Sequence, residues 1–198
     1  MDVFERVAQS VDLHGLRWCI AHITTGTADT FERMSKLGLC YSVQMNAYYE
    51  AFQIARTNGL AVAEQAPRTR LALNAGLMVV GGTDSTRVGE FNTWRTIEYQ
   101  VTGRAVGRSV QRRPDLGVTR EEALRFYTAN AAWLTFDENR KGTLEAGKLA
   151  DIAVLDQPYL TIPADQIHTL KSLLTMVGGK IVYAADPFQA VKQKWDHR

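Results

Sequence analysis

The stretch that most constrains this chain's fold covers residues 77–85, where Leu77, Met78, Val79 and Val80 lead into Gly81, Gly82, Thr83, Asp84 and Ser85. A short, wholly apolar run fits a strand buried on both faces, the usual condition of a parallel strand covered by helices. The two glycines allow a sharp turn and a close approach by neighbouring groups. A carboxylate follows almost at once. In an α/β barrel the side chains at the C-terminal ends of the strands form the mouth where the chemistry is kept. The pattern therefore expects Asp84 at such a mouth.

The flanking segments repeat a regular rhythm. Residues 3–11 read as a short helix, and residues 17–23 as a strand carrying His22 near its end. Turn and cap residues follow over 24–29. A helix over 28–37 places Phe31, Met34 and Leu37 at three-residue steps, and Gly38 stops it. Residues 39–44 read as the next strand. Residues 45–67 read as a long connection holding Tyr48, Tyr49 and Phe52, and 68–74 as a short helix before the Leu77 strand. Strand, helix, strand, helix, strand implies parallel pairing with right-handed crossovers. A helix over 91–106 is expected next. Thr119 with Glu122 three residues on opens a further helix to about residue 134, presenting Ala123, Phe126, Tyr127 and Ala131.

Beyond this the pattern changes. Residues 141–151 are rich in turn formers and lead into a strand over 152–156. Two apolar runs flank Gly178 and Gly179, the signature of a β-hairpin. The expected organisation is a partial (β/α) barrel over 1–138, a small antiparallel β unit over 139–188 and a tail over 189–198.

Bulk properties exclude several classes. The chain has 198 residues, 45% hydrophobic and 22% charged, which is ordinary for a soluble globular domain with a small appendage. A net charge of +2 gives no electrostatic case for nucleic acid or membrane as partner. No stretch approaches the ~20 apolar residues of a membrane span. Residues 1–9 lack the apolar core of a signal peptide, so a cytoplasmic setting is the default. Cys19 and Cys40 sit in apolar runs without a Cys-x-x-Cys spacing and read as buried free thiols. Arg104, Arg108, Arg112 and Arg113 read as a solvated helix end and loop, with phosphate or acidic-substrate binding as the lesser reading.

Four stretches together resemble the back part of the amidohydrolase superfamily, closest to amidohydrolase family 3, the group containing the N-substituted formamide deformylases. Ile20-Ala21-His22 resembles the strand whose terminal His binds metal there. Gly82-Thr83-Asp84-Ser85 resembles the last barrel strand, whose Asp binds metal and handles the proton of the attacking water. Residues 119–132 resemble the helix that follows. The most specific likeness lies over 142–156 and 175–183, in order along the chain. The resemblance implies the C-terminal part of a metal-dependent-hydrolase TIM-like barrel, with three parallel strands of the eight that a full barrel needs. The family's upstream His-x-His pair, its carboxylate or modified Lys and its further His have no counterpart here. His14, His168 and His197 end no expected parallel strand. The chain therefore reads as a C-terminal fragment: a truncated gene, an expressed piece or a mis-set start codon.

The implied chemistry is hydrolysis of a non-peptide C–N bond in a small amide or N-formyl substrate. A divalent metal, zinc by this resemblance, lowers the pKa of water from 15.7 to about 7. At ~1.36 kcal/mol per unit that is worth roughly 12 kcal/mol. Asp84 takes the water's proton and passes it to the leaving amine, and His22 is a neutral imidazole ligand with a second-shell acceptor. Catalytic zinc usually has three protein ligands plus water. Two candidates, His22 and Asp84, imply weak binding and an inactive isolated chain.

Other residues carry alternatives. Gln44 and Asn46, at the end of the second strand, read as substrate contacts or as structural amides. Arg87 reads as meeting an anionic substrate group or facing solvent. Tyr48, Tyr49, Phe52 and Trp94 line a substrate wall or pack in the core. Many relatives place a proline soon after the Asp. Here residues 85–90 read Ser-Thr-Arg-Val-Gly-Glu, so substrate identity does not carry over. The opposed reading is a non-catalytic remnant or interaction module. Either way, a cut barrel leaves strand edges and apolar surface exposed, which expects homo-oligomers or edge-to-edge association.

Overall fold

The computed structural model describes residues 1–86 and 88–196. It is an α/β structure with two separate sheets. The first is parallel, in order β1 (Cys19–Ala21), β2 (Cys40–Val43), β3 (Val79–Gly81). The second is antiparallel, in order β4 (Ile152–Leu155), β5 (Ser172–Val177), β6 (Lys180–Ala184).

Helices connect and cover the parallel strands. α1 (Asp2–Ala8) precedes β1, and α2 (Ala28–Lys36) joins β1 to β2. The Thr27 side chain accepts the Thr30 amide hydrogen to start α2, which buries Phe31 and Met34 against the sheet. Residues 45–67, expected as an open connection, are largely helical: α3 (Asn46–Asn58) and α4 (Leu60–Ala63). Ala47, Ala51 and Ile54 face inward from α3 at steps of four and three, a stripe narrow enough to pass for loop sequence. α5 (Thr69–Asn74) then leads into β3.

After β3, α6 (Thr93–Thr102) ends at Gly103 in the left-handed region, as a helix stop requires. The helix expected over 120–134 is two: α7 (Arg120–Phe126), opened by the anticipated capping box of Thr119 and Glu122, and α8 (Ala129–Leu134). Thr128, at φ −125° and ψ −95°, separates them. The hairpin of β5 and β6 turns at Gly178 and Gly179, both at positive φ, which a two-residue hairpin turn demands. Residues Gln189–Asp196 form a closing helix, α9.

The main core lies between the parallel sheet and its helices. Tyr41, Val43 and Val79 pack on Phe31, Met34, Ile97, Ala123 and Phe126. Arg70 forks onto Glu122 at 2.9 and 2.5 Å and onto the Gly117 carbonyl, tying α5 to the start of α7. Asn130 on α8 donates to the Val79 carbonyl at 2.8 Å, reaching a strand of the parallel sheet from outside it.

Two expectations are corrected here. Cys19 and Cys40 are not free thiols: they are paired as a disulfide, because the register of β1 on β2 sets them directly opposite, Cα atoms 4.3 Å apart. Arg112 is not solvated. It is 2% exposed, lies over the Tyr99 ring and donates to the Tyr99 and Gln100 carbonyls near the end of α6. A cation there is favoured by the negative end of the helix dipole. Among the described residues no helix is long and apolar enough to cross a membrane.

Candidate active site

β1, β2 and β3 run the same way, so their C-terminal ends open on one side of the sheet. Residues in register point to the same face. Ala21, Ser42 and Val80 share one face, and Gln44 and Gly82 continue it beyond the last paired residues. Tyr41, Val79 and Gly81 face the helices.

The two glycines serve close approach rather than a turn. Neither is at positive φ. A Cβ on Gly81 would overlap the Tyr127 ring on the helix side, and one on Gly82 would overlap the Gln44 amide on the other. Tyr127 reaches the Gly82 carbonyl with its hydroxyl at 3.5 Å, and burial pushes its pKa up to about 12, so it stays a donor. Gln44 donates to Ser42 Oγ at 3.0 Å.

Both predicted site residues are among the non-glycine residues in left-handed backbone, with Arg17, Arg108 and Phe136. His22 follows β1 at φ 61°, and Asp84 follows β3 at φ 55°. Left-handed backbone in a non-glycine residue costs about 1–3 kcal/mol, and such strain gathers at functional sites. In each case the bend turns the side chain out of the strand's alternation. His22 Nδ1 and Asp84 Oδ2 stand 3.9 Å apart, with side chains 49% and 31% exposed.

That gap is too long for a hydrogen bond. It is also wider than the spacing of two ligands on one tetrahedral zinc, so the side chains would have to draw together to share one. Ligands about 2.0 Å from a tetrahedral zinc lie about 3.3 Å from each other, and about 4 Å at the linear limit. One imidazole and one carboxylate, open to solvent, are a donor set that divalent zinc accepts. Among the described residues no group of three or more His, Cys, Asp and Glu is placed to hold a metal. His22 and Asp84 stand as a pair, with no third such donor beside them among the described residues.

Groups from β2 and α3 grip the bend after His22. The Tyr41 hydroxyl donates to the Ile23 carbonyl at 3.0 Å, and burial raises its pKa well above the usual phenol range. The Thr24 amide donates to the His22 carbonyl at 2.9 Å, and the Thr24 hydroxyl to the same oxygen at 3.4 Å. Asn46 Nδ2 donates to Thr24 Oγ1 at 2.9 Å and to Glu50 at 3.4 Å. Asn46 and Thr24 lie 22 residues apart, so no local pattern in the sequence points to their meeting.

Of the expected wall, Tyr48 packs edge-on to Tyr49 and Tyr99, and Trp94 lies against Tyr159. Phe52 remains 58% exposed. Beyond Asp84 the chain folds back: Val88 donates to the Asp84 carbonyl and Glu90 to the Tyr49 hydroxyl. Arg87 lies outside the described residues.

Comparison with known proteins gives a consistent result. A family model described as the amidohydrolase family matches residues 1–183. An N-substituted formamide deformylase of Arthrobacter pascens is 39% identical over 70 residues, which are 35% of this chain and 13% of that protein. A structure of an uncharacterized metal-dependent hydrolase from Pyrococcus furiosus is 28% identical, with a TM-score of 0.60, over 72% of this chain and 29% of that one. The zinc complex of atrazine chlorohydrolase TrzN from Arthrobacter aurescens shares the fold with a TM-score of 0.59 at 19% identity, over 88% of this chain and 39% of that one. The chain therefore spans well under half the length of these relatives.

Proposed function

The chain belongs to the amidohydrolase family, and from that membership we propose that it supplies part of the mouth of a metal-dependent hydrolase acting on a non-peptide C–N bond. The substrate class is a small amide or N-formyl compound. The observation that carries this reading is the His22–Asp84 pair, bent out of β1 and β3 by left-handed backbone and held 3.9 Å apart at the open end of the sheet. The solved structures that the chain resembles include a metal-dependent hydrolase and a hydrolase complexed with zinc, which supports a divalent metal.

His22 and Asp84 would hold a divalent metal, with zinc the best match to an imidazole and a carboxylate. When bound, such a metal acts as a Lewis acid and brings the pKa of water near neutrality. Asp84 is the proton carrier: its carboxylate takes a proton from the attacking water and returns it to the leaving nitrogen. Gln44, which lies beside Gly82, is proposed as a substrate contact. Arg87 is proposed as a contact for an anionic substrate group.

Two ligands hold zinc weakly, so turnover needs further donors from additional polypeptide. The unpaired outer sides of β1 and β3 are where that polypeptide would join, whether it is another chain, a second copy or a longer form of this one. By itself, the chain is then a non-catalytic piece with adhesive edges, a reading favoured by the lack of a third donor near the pair among the described residues.

Asp84→Asn in the complete assembly tests the proton role. The expected result is a loss of hydrolysis by at least about 100-fold, the scale of a general acid–base group, with assembly intact. Full activity in that variant would rule the role out.

A further inference from the structure

We propose that Asn46 is a positioning residue for His22, acting through the Thr24 hydroxyl. The proposal rests on the reading of His22 as a metal ligand. Asn46 is the first residue of α3, three positions beyond the end of β2, and it was expected among the substrate contacts. Its amide nitrogen reaches the loop that follows β1, where Thr24 Oγ1 accepts from it at 2.9 Å, and it also donates to Glu50 at 3.4 Å.

The direction of this bond matters. A threonine hydroxyl has one hydrogen to give and lone pairs to receive. With Asn46 donating to the oxygen, the hydroxyl's own hydrogen is left for the His22 carbonyl, 3.4 Å away. The same carbonyl takes the Thr24 amide hydrogen at 2.9 Å. Both bonds fix the peptide that leaves His22, and so the bend in which His22 sits at φ 61°. The Tyr41 hydroxyl holds the next peptide at the Ile23 carbonyl. β2 and α3 thereby set the orientation of an imidazole carried by β1, an edge strand only three residues long.

The arrangement gives Asn46 a task in the fold itself, independent of any substrate. Removing its amide frees the Thr24 hydroxyl to turn to water, and His22 loses one of the restraints that keep it bent toward Asp84. Outer partners of a ligand typically change metal affinity by 10- to 100-fold.

The experiment uses the whole chain and four variants: Asn46→Ala, Thr24→Val, Thr24→Ser and the Asn46→Ala/Thr24→Val double. Two signals are read by NMR: the intraresidue amide–Hα cross-peak of His22, which is strong at positive φ, and the shift of the His22 imidazole on titration with zinc chloride. Dispersed amide spectra establish that each variant is folded. Asn46→Ala and Thr24→Val should each weaken the cross-peak and raise the zinc midpoint about 10-fold. The double variant should lose no more than the worse single, since both break one bridge. Thr24→Ser, which keeps the hydroxyl, should match the parent. Unchanged signals in Asn46→Ala, or losses that add in the double, overturn the proposal. If the cross-peak responds as described but zinc never moves the parent's imidazole, the positioning holds and the ligand reading falls. If zinc moves the imidazole equally in all variants, the ligand reading holds and the positioning falls.

Discussion

His22 Nδ1 and Asp84 Oδ2 lie 3.9 Å apart although their strands, β1 and β3, do not touch: β2 runs between them. The two side chains meet only because both backbones bend into the left-handed region just past the strand ends. β2 contributes no titratable group to the pair. It provides the spacing, with Ser42 and Gln44 on the inner face, and the clamps on the His22 loop through Tyr41 and, from α3, Asn46.

The two glycines before Asp84 should differ in what they tolerate. A methyl on Gly81 meets the Tyr127 ring, which is itself packed against the core, whereas one on Gly82 meets the flexible end of Gln44. Gly81→Ala is expected to cost about 1–3 kcal/mol, as overpacking does. Gly82→Ala should cost less, with Gln44 displaced into solvent. Urea denaturation of both variants compares them, and equal costs would mean that the ring yields as easily as the amide.

Glu122 should give the fold a pH-dependent contribution. The Arg70 hydrogen bonds, and after them that from the Thr119 backbone, hold its carboxyl below the usual carboxylate range. A depressed pKa stabilises the native state above the unfolded value of about 4.3, and the benefit disappears as pH falls through the lowered native value. The side chains are 21% and 31% exposed, so solvent screens the pair and its worth is roughly 0.5–1 kcal/mol. The stability gap between the parent and Glu122→Gln should be constant from pH 7 to about 5 and close below about 4. A gap that persists at pH 3 would show that the effect is not ionic.

The open sheet should make the chain associate. Trp18, just before β1, is 50% exposed, and Phe91 and Leu144 are 77% and 82% exposed. Unpaired parallel edges with apolar flanks recruit partners. Sedimentation velocity over a range of concentrations should show self-association or aggregation. A monodisperse monomer at high concentration would count against the open-edge reading.

Much of the fold was legible because its signals are local. The Thr119–Glu122 capping box, the Gly178–Gly179 turn and the buried Val79–Val80 run each occupy a few adjacent residues, and each formed where expected. Asp84 and His22 were legible as strand-end residues for the same reason. What was missed depends on contacts distant in sequence. Arg112 is buried because the end of α6 and Tyr99 receive it, and Cys19 meets Cys40 because of strand register. α3 was missed because its inward stripe is mostly alanine, which carries little hydrophobic signal. The break at Thr128 has no proline or glycine to mark it.

The central claim, that His22 and Asp84 share a metal, is tested most directly by locating zinc. Crystals grown in millimolar zinc and measured at its absorption edge should show an anomalous peak about 2.0–2.2 Å from a His22 ring nitrogen and an Asp84 carboxylate oxygen, with that peak lost in Asp84→Asn. A zinc peak elsewhere with the His22–Asp84 gap empty, or one at the gap that survives in Asp84→Asn, would contradict it.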